Sequence, residues 1–352
     1  MRSKYTEHDL VNVDEVEGGT NDHSLPNHPT LESFRSISKN NRPQHIILMS
    51  LSFILIGVLI GFLATKNIIP GDTSKSSLLS SKTMKFAPLP PKTEALTNIA
   101  FGSCINQNYP QAFWDTVAST QPNITILGGD SVYADCDSIE TCPSTLQAAY
   151  EKQGSNPSFM GAMKLLPTIA TLDNHDYGLN NADRNNPYKD IAKKYFLDFF
   201  QVPPHDERRK RRDGVYTSYM YGDLNQGTAL QIILLDVRHA CSEMGGAKNK
   251  NNDTETMLGD AQWQWLQEQF SQPANVRIVV SSIQVIVTGH RFFCWTNISS
   301  KELQRFYQFI SDNSSFRGGT TILLSGDRHV GGIYRHNLTD DSSSSNNKHT
   351  NG

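Results

Sequence analysis

The sequence predicts a single mixed α/β sandwich domain, and three observations predict it. Short apolar runs that read as strands alternate with segments carrying apolar residues at helical spacing. Several of those runs are too apolar for half-exposed strands and so require cover on both faces. Four of them pass directly into polar residues of the type that bind metals, as expected where parallel strands present their carboxyl ends to a ligand.

The chain has 352 residues, enough for one large core. Charged residues make up 19% and hydrophobic residues 37%, so the polar surface rests on Asn, Ser, Gln and Thr more than on ions. With 32 basic against 35 acidic side chains, the net charge of −3 offers no general attraction for nucleic acid. Residues 1–45 carry 7 acidic and 5 basic side chains without an apolar period and read as a disordered cytosolic tail. Residues 46–65 (IILMSLSFILIGVLIGFLAT) contain no charge, and as a helix would rise about 30 Å, the thickness of a bilayer core. They are expected to form a single transmembrane signal-anchor helix, since a cleaved signal peptide fits poorly behind so long a leading segment. Arg35, Lys39 and Arg42 precede the run, while Lys66 and Lys75 follow it. All five Asn-x-Ser/Thr triplets, at Asn123, Asn252, Asn297, Asn313 and Asn337, also lie beyond it. Together these features predict a type II glycoprotein whose domain faces a lumen or the cell exterior. Residues 66–94 read as a flexible Ser, Lys and Pro stalk.

The domain is expected over 95–340, followed by a disordered tail at 341–352 rich in Ser and Asn. Strands are predicted at 97–103, 124–128, 168–172, 229–236, 276–287 and 320–325, with 214–222 (GVYTSYMYG) as a further alternating strand. Helices are predicted at 186–201, 260–270 and 300–312, the last opened by a capping box of Ser299 and Glu302. The basic run 208–212 reads as a solvated hairpin or loop that could rim a site mouth, with a proprotein-convertase cleavage site as the sharper alternative. Five cysteines suggest two pairs and one spare: Cys136 with Cys142 across a short loop, and Cys241 with Cys294, both suited to an oxidising compartment.

The chemical signal lies in the strand endings AFGSC at Cys104, ILGGDSVY at Asp130 and Tyr133, TIATLDNHD at 173–176 and ILLSGDRH at Asp327 and His329. Converged, they would place several carboxylates in one cleft, where mutual repulsion demands either protons or cations. Asp, Asn, His and Tyr with one thiolate suit a two-metal site. The thiolate and phenolate favour a trivalent iron over magnesium, which prefers oxygen shells. Each motif has a plainer reading as well: Asp130 after two glycines is a frequent turn, and an isolated Cys104 is most often a buried, inert thiol.

The ordered set AFGSC at 100–104, GGDSVYADC at 128–136, TLDNHDYGLN at 171–180, GVYTSYMYGD at 214–223, LLDVR at 234–238, MLGDAQWQWL at 257–266 and LLSGDRHVGGIYR at 323–335 resembles the alkaline phosphatase D (PhoD-like) branch of the metallophosphoesterases. The resemblance implies a four-layer αββα sandwich with metals over the strand ends. It implies iron ligation by Cys104 and Tyr133, a metal-bridging Asp130, Asn174 at the second metal, Asp173 among the metal residues, and Asp327 as a late ligand. His329 is implied as a ligand or a phosphate-side donor. His175 would serve the leaving oxygen with Asp176 orienting it, and Arg238 and Arg328 are candidate phosphate clamps. The implied cofactor is a binuclear centre of Fe(III) and a second divalent cation, Ca2+ first, with Zn2+, Mn2+ or Mg2+ as alternatives. The implied reaction is hydrolysis of phosphate mono- or diesters by a hydroxide held between the metals, acting on a small molecule or an exposed phosphoryl group. Two rival readings are a Cys104 nucleophile, for which no suitably placed His is evident, and an anchored binding ectodomain that kept the fold without turnover.

Overall fold

The computed structural model describes residues 85–243, 255–287, 294–317 and 319–334. The expected tail, the transmembrane segment, the stalk before residue 85, the final segment 341–352 and the triplets at Asn252 and Asn337 lie outside these residues. Among the described residues, no helix is long and apolar enough to cross a membrane.

The first half of the domain builds three parallel strands in the order β1 (Ile99–Gly102), β2 (Ile124–Leu127), β3 (Thr168–Ala170). Parallel neighbours need crossovers, which α1 (Phe113–Ser119) supplies between β1 and β2, and α2 (Cys142–Ser155) with α3 (Pro157–Leu165) between β2 and β3. Asn156 caps α3 by accepting from the Phe159 amide at 3.1 Å. Then α4 (Lys189–Phe199) and the short α5 (Glu207–Lys210) lead into the second sheet. Its order is β4 (Thr217–Tyr221), β5 (Leu230–Leu234), β6 (Val276–Ser281), β7 (Thr320–Ser325), with β4 antiparallel and the others parallel. The crossovers here run through α6 (Gly259–Phe270), then α7 (Trp295–Ile298) and α8 (Ser300–Arg317).

The packing gives the layers. Ile99, Ile124, Ile126 and Ile169 of the first sheet bury against Ile232, Leu234, Ile278 and Val280 of the second, forming a sheet-on-sheet core. The other face of the first sheet packs on α1 to α4 through Trp114, Leu146, Phe159 and Phe196. The other face of the second packs on α6 to α8 through Trp263, Leu266, Trp295 and Phe306. Helices therefore lie outside two central sheets, the expected αββα arrangement, and the apolar strand sequences reflect burial on both faces.

Several expectations need correction. The strand expected over 276–287 stops at Ser281, level with the ends of its paired neighbours at Leu234 and Ser325. The basic run is not a solvated loop. Arg208 is buried and pairs with Asp206 at 2.9 Å, Arg209 reaches Asp198 at 2.7 Å, and Arg211 lies 3.9 Å over the Tyr216 ring. Planar guanidinium groups can be buried this way against carboxylates and rings, so only Lys210 and Arg212 of the run are exposed. Cys136–Cys142 is a disulfide, but Cys241 and Cys294 are not bridged to each other; both are buried, with the Cys241 sulfur 3.8 Å from Met257 Sδ.

The capping box is half formed. The Ser299 hydroxyl accepts from the Glu302 amide at 3.3 Å, while the Glu302 carboxylate turns inward and accepts from Met257 N, Leu258 N and Trp263 Nε1 at 2.6, 3.1 and 2.6 Å. This buried carboxylate therefore ties the entry of α6 to α8. Glu302→Gln replaces one acceptor oxygen with a donor facing other donors and should cost about 1–3 kcal/mol. A fall in the urea midpoint at constant slope would register it; an unchanged midpoint would show the three contacts to be dispensable.

Candidate active site

Carboxyl ends of the parallel strands meet at one end of the sandwich. β1 exits at Cys104, β2 at Asp130, β3 at Asp173 and β7 at Asp327. Adjacent exits are stitched together: Cys104 N donates to Gly129 O at 3.0 Å, Ile105 N to Asp130 O at 2.7 Å, Thr171 Oγ1 to Leu235 O at 2.7 Å and Gly326 N to Ser282 O at 2.9 Å. The backbone is forced here. Cys104, Asp130, Asp327 and His329 all adopt positive φ, at 60°, 52°, 68° and 56°. Non-glycine residues rarely occupy that region, and four of them concentrate at three strand exits, those of β1, β2 and β7, as backbone strain does at functional sites. At Gly129, φ is 107° and a Cβ would come within 2.6 Å of Asp173 Cβ, so the GGD sequence is needed for the close approach of the two loops.

Cys104, Asp130 and His329 bring one potential ligand atom each within 4.8 Å of one another. The Tyr133 hydroxyl lies 2.8 Å from His329 Nε2 and also interacts with the Cys104 side chain. Beside them opens a cavity of about 230 Å³ lined by Asp130, Asn174, His175, Asn180, Asn181, Asp327, Arg328 and His329. Asp173 lies beneath it, fully buried: Oδ1 accepts from Arg238 Nε at 2.5 Å and Ser282 Oγ at 2.8 Å, whereas Oδ2 is buried without a partner among the described residues.

Arg238, expected as a phosphate clamp, does not line the cavity. It is buried, with Nε on Asp173 and Nη2 on Asn174 and Asp327 at 3.1 and 2.9 Å, which makes it the internal counter-charge of the acidic floor. Asp236 of the LLDVR stretch supports it from below, accepting from Arg238 N and His239 N through one oxygen and from Val215 N and Tyr177 Oη through the other. Asp176, expected to orient His175, instead accepts from the backbone amides of Ser131, Val132 and Asp173 at 2.9, 3.2 and 3.0 Å. Both its oxygens are spent holding the two strand-exit loops together. The carboxylate on His175 is that of Asp135, 2.8 Å from Nδ1.

The electrostatics describe a site short of positive charge. Burial, then the charges of Asp173 and Asp176, push the Asp130 carboxyl well above its ordinary range. Burial raises Asp176 to about 7, and burial with the Asp173 charge raises Asp327 to about 6. The Cys104 thiol is pushed up by burial and by Asp130, and the Tyr133 phenol by the same two causes. His329 is lowered by burial and by the neighbouring His175 and Arg328. One buried arginine does not balance four carboxylates. A cation would oppose every upward shift and would take His329 as the neutral donor it already tends to be, and the donor set, with an Asp173 Oδ2 that has no partner among the described residues, fits one.

A model of the PhoD-like phosphatases matches residues 99–349, from β1 past β7 and across every strand exit just described. The chain belongs to the PhoD-like phosphatase family. A solved PhoD structure aligns with it at a TM-score of 0.53 and 17% identity, over 68% of this chain and 52% of that one. That likeness is one of fold, and the PhoD-like chain spans about half the length of the solved protein. No curated protein matches the sequence.

Among the motif residues, the PhoD-like domain thus gathers Cys104, Asp130, Tyr133 and His329 on one side. Asn174, His175, Asp327 and Arg328 share the cavity, while Asp173, Asp176 and Arg238 lie beneath as supports. Sequence reading passed over Asp135, Asn180 and Asn181. Asp135 and Asn180 stand inside the quoted GGDSVYADC and TLDNHDYGLN stretches, so their signal was proximity; Ser282, at the end of a plain apolar strand, gave none.

Proposed function

We propose that this PhoD-like domain is a metal-dependent phosphoesterase acting in an oxidising, lumenal or extracellular space. The observation that carries the reading is the convergence of Cys104, Asp130 and His329 within 4.8 Å at strained strand exits beside an open polar cavity. Cys104, Asp130, Tyr133 and His329 would hold a trivalent iron, and Asn174, Asp173 and Asp327 a second divalent cation. When bound, these ions would supply Lewis acidity and offset the negative charge of the phosphoryl group.

The chain's own residues divide the remaining work. Arg328 lines the cavity and supplies cationic character for phosphoryl oxygens. His175 lines it too and would pass a proton to the departing ester oxygen as the P–O bond breaks, water providing the incoming oxygen. Asn180 and Asn181 offer amide donors and acceptors to the alcohol portion. Arg238 keeps Asp173 and Asp327 in place, and Asp176 keeps the loops closed. The Cys136–Cys142 disulfide supports the oxidising compartment, consistent with a type II anchor at 46–65 and with the exposed side chain of Asn297.

The test uses the full-length protein, a panel of aryl phosphate monoesters and diesters, metal quantification and visible absorption. The expected result is turnover abolished by chelation, bound iron, and a charge-transfer band that Tyr133→Phe shifts or bleaches. A colourless, folded, metal-free protein with no turnover would favour the binding ectodomain, and a band unmoved by Tyr133→Phe would remove the phenolate from the ligand set.

A further inference from the structure

The imidazole of His175 is held on two sides. Its ring lies against Tyr133 with centroids 4.2 Å apart and planes inclined by 31°, and Nδ1 lies 2.8 Å from Asp135 Oδ1. An ionised carboxylate only accepts, so Nδ1 carries a hydrogen, and Nε2 is the ring nitrogen left to serve the cavity, able to give a proton there when the ring carries its second hydrogen. The adjacent acid, Asp176, cannot take this part, because both its oxygens are engaged by backbone amides.

Asp135 is itself fixed, despite a side chain 52% exposed. The next residue is Cys136, whose amide donates to Gly178 O at 2.8 Å and whose sulfur is bonded to Cys142. That disulfide rests directly on Gly178, where φ is 76° and an added Cβ would come within 2.9 Å of Cys136 Sγ and 3.4 Å of Cys142 Sγ. The β2 exit loop bearing Asp135 is thereby clasped to the β3 exit loop bearing His175, and the clasp lies one residue from the first and three from the second.

We propose that Asp135, kept in place by the Cys136–Cys142 clasp, is the positioning residue for His175, setting its tautomer and ring direction toward the leaving group. The catalytic consequence rests on the phosphoesterase reading; the pairing itself does not. Losing the hydrogen bond leaves the ring free to rotate about its side-chain torsions and to exchange tautomers. Misorientation of a group that must meet the substrate within about 3 Å can lower turnover by as much as ~100-fold.

The test compares Asp135→Ala, Asp135→Asn, His175→Ala and the Asp135→Ala/His175→Ala double variant in the full chain. Imidazole 15N and 1H resonances of His175 are followed alongside kcat and KM. Asp135→Ala should lose the hydrogen-bonded Nδ1–H signal and lower kcat by about 10–100-fold with KM nearly unchanged. Asp135→Asn, which keeps an acceptor oxygen, should retain the signal and recover most of kcat. The double variant should be no slower than His175→Ala, because Asp135 acts through that ring. An unaltered Nδ1–H signal in Asp135→Ala, or a double variant clearly slower than His175→Ala, would overturn the assignment. If the wild-type chain hydrolyses no ester, the phosphoesterase reading falls, and the resonances alone still uphold or refute the pairing.

Discussion

Asp130→Asn is expected to give a folded protein that has lost its metals and its turnover together. The substitution keeps an oxygen able to accept from His175 N, which the native carboxylate does at 3.1 Å, so the local backbone has no reason to rearrange. It removes a charge from a residue that is 2% exposed and repelled by Asp173 and Asp176. In the metal-free protein that removal relieves strain, and the thermal midpoint should stay level or rise. In the loaded protein the same removal takes away the anion that draws cations to Cys104 and His329, and affinity should fall by more than ~100-fold, beyond the loss typical of outer-sphere partners. Stability preserved while metal and activity vanish is a signature that a merely structural aspartate would not give. Metal content by mass spectrometry, beside a melting curve, reads both halves. Metal retained at wild-type stoichiometry would remove Asp130 from the site.

The fold was legible because its signals are local. The strands at 124–128 and 168–172 announce themselves by unbroken apolar runs, and burial on both faces is the physical reason those runs exist. Helix α2 was not legible: Cys142–Ser155 buries Cys142, Leu146, Ala149, Tyr150 and Gln153, a face in which only Leu146 and Tyr150 are large apolar side chains, so the sequence carries no strong helical apolar period. The basic run misled because sequence reports charge but not the Asp198, Asp206 and Tyr216 partners that folding brings to it. The site showed the same division. Residues delivered by strand exits could be named from the motifs. Which of two nearby aspartates faces a histidine depends on loop geometry: adjacency favoured Asp176, and a left-handed turn at Asp130 with a disulfide at Cys136 favoured Asp135. Arg238 likewise looked like a clamp for substrate, and the acid-rich floor claimed it first.

That floor yields a second large effect, in the pH dependence of the chelated protein. Asp176 is raised from 3.8 to about 7, chiefly by burial, and Asp327 from 3.8 to about 6, by burial and by the Asp173 charge. A carboxyl whose folded pKa exceeds its unfolded value favours folding in its protonated form. Its contribution is complete below about pH 4 and is lost as pH rises through the folded value. Without metal, the PhoD-like domain should therefore lose stability between about pH 4 and pH 7. Cations change the sign of the local field: the carboxylates are then wanted ionised, and the loss should shrink or disappear. The gap in melting temperature between loaded and chelated protein should accordingly widen across this window, by roughly 5–10 °C for a domain of this size. Outer pairs such as Asp198 with Arg209 have depressed carboxyls and lose their contribution at more acidic pH, so they do not mask the trend. Melting curves in matched buffers, with and without chelator, decide it. A gap constant from pH 4 to 7 would mean that the carboxylates under the cavity are not neutralised by bound cations, and the metal site would have to be sought away from the strand exits.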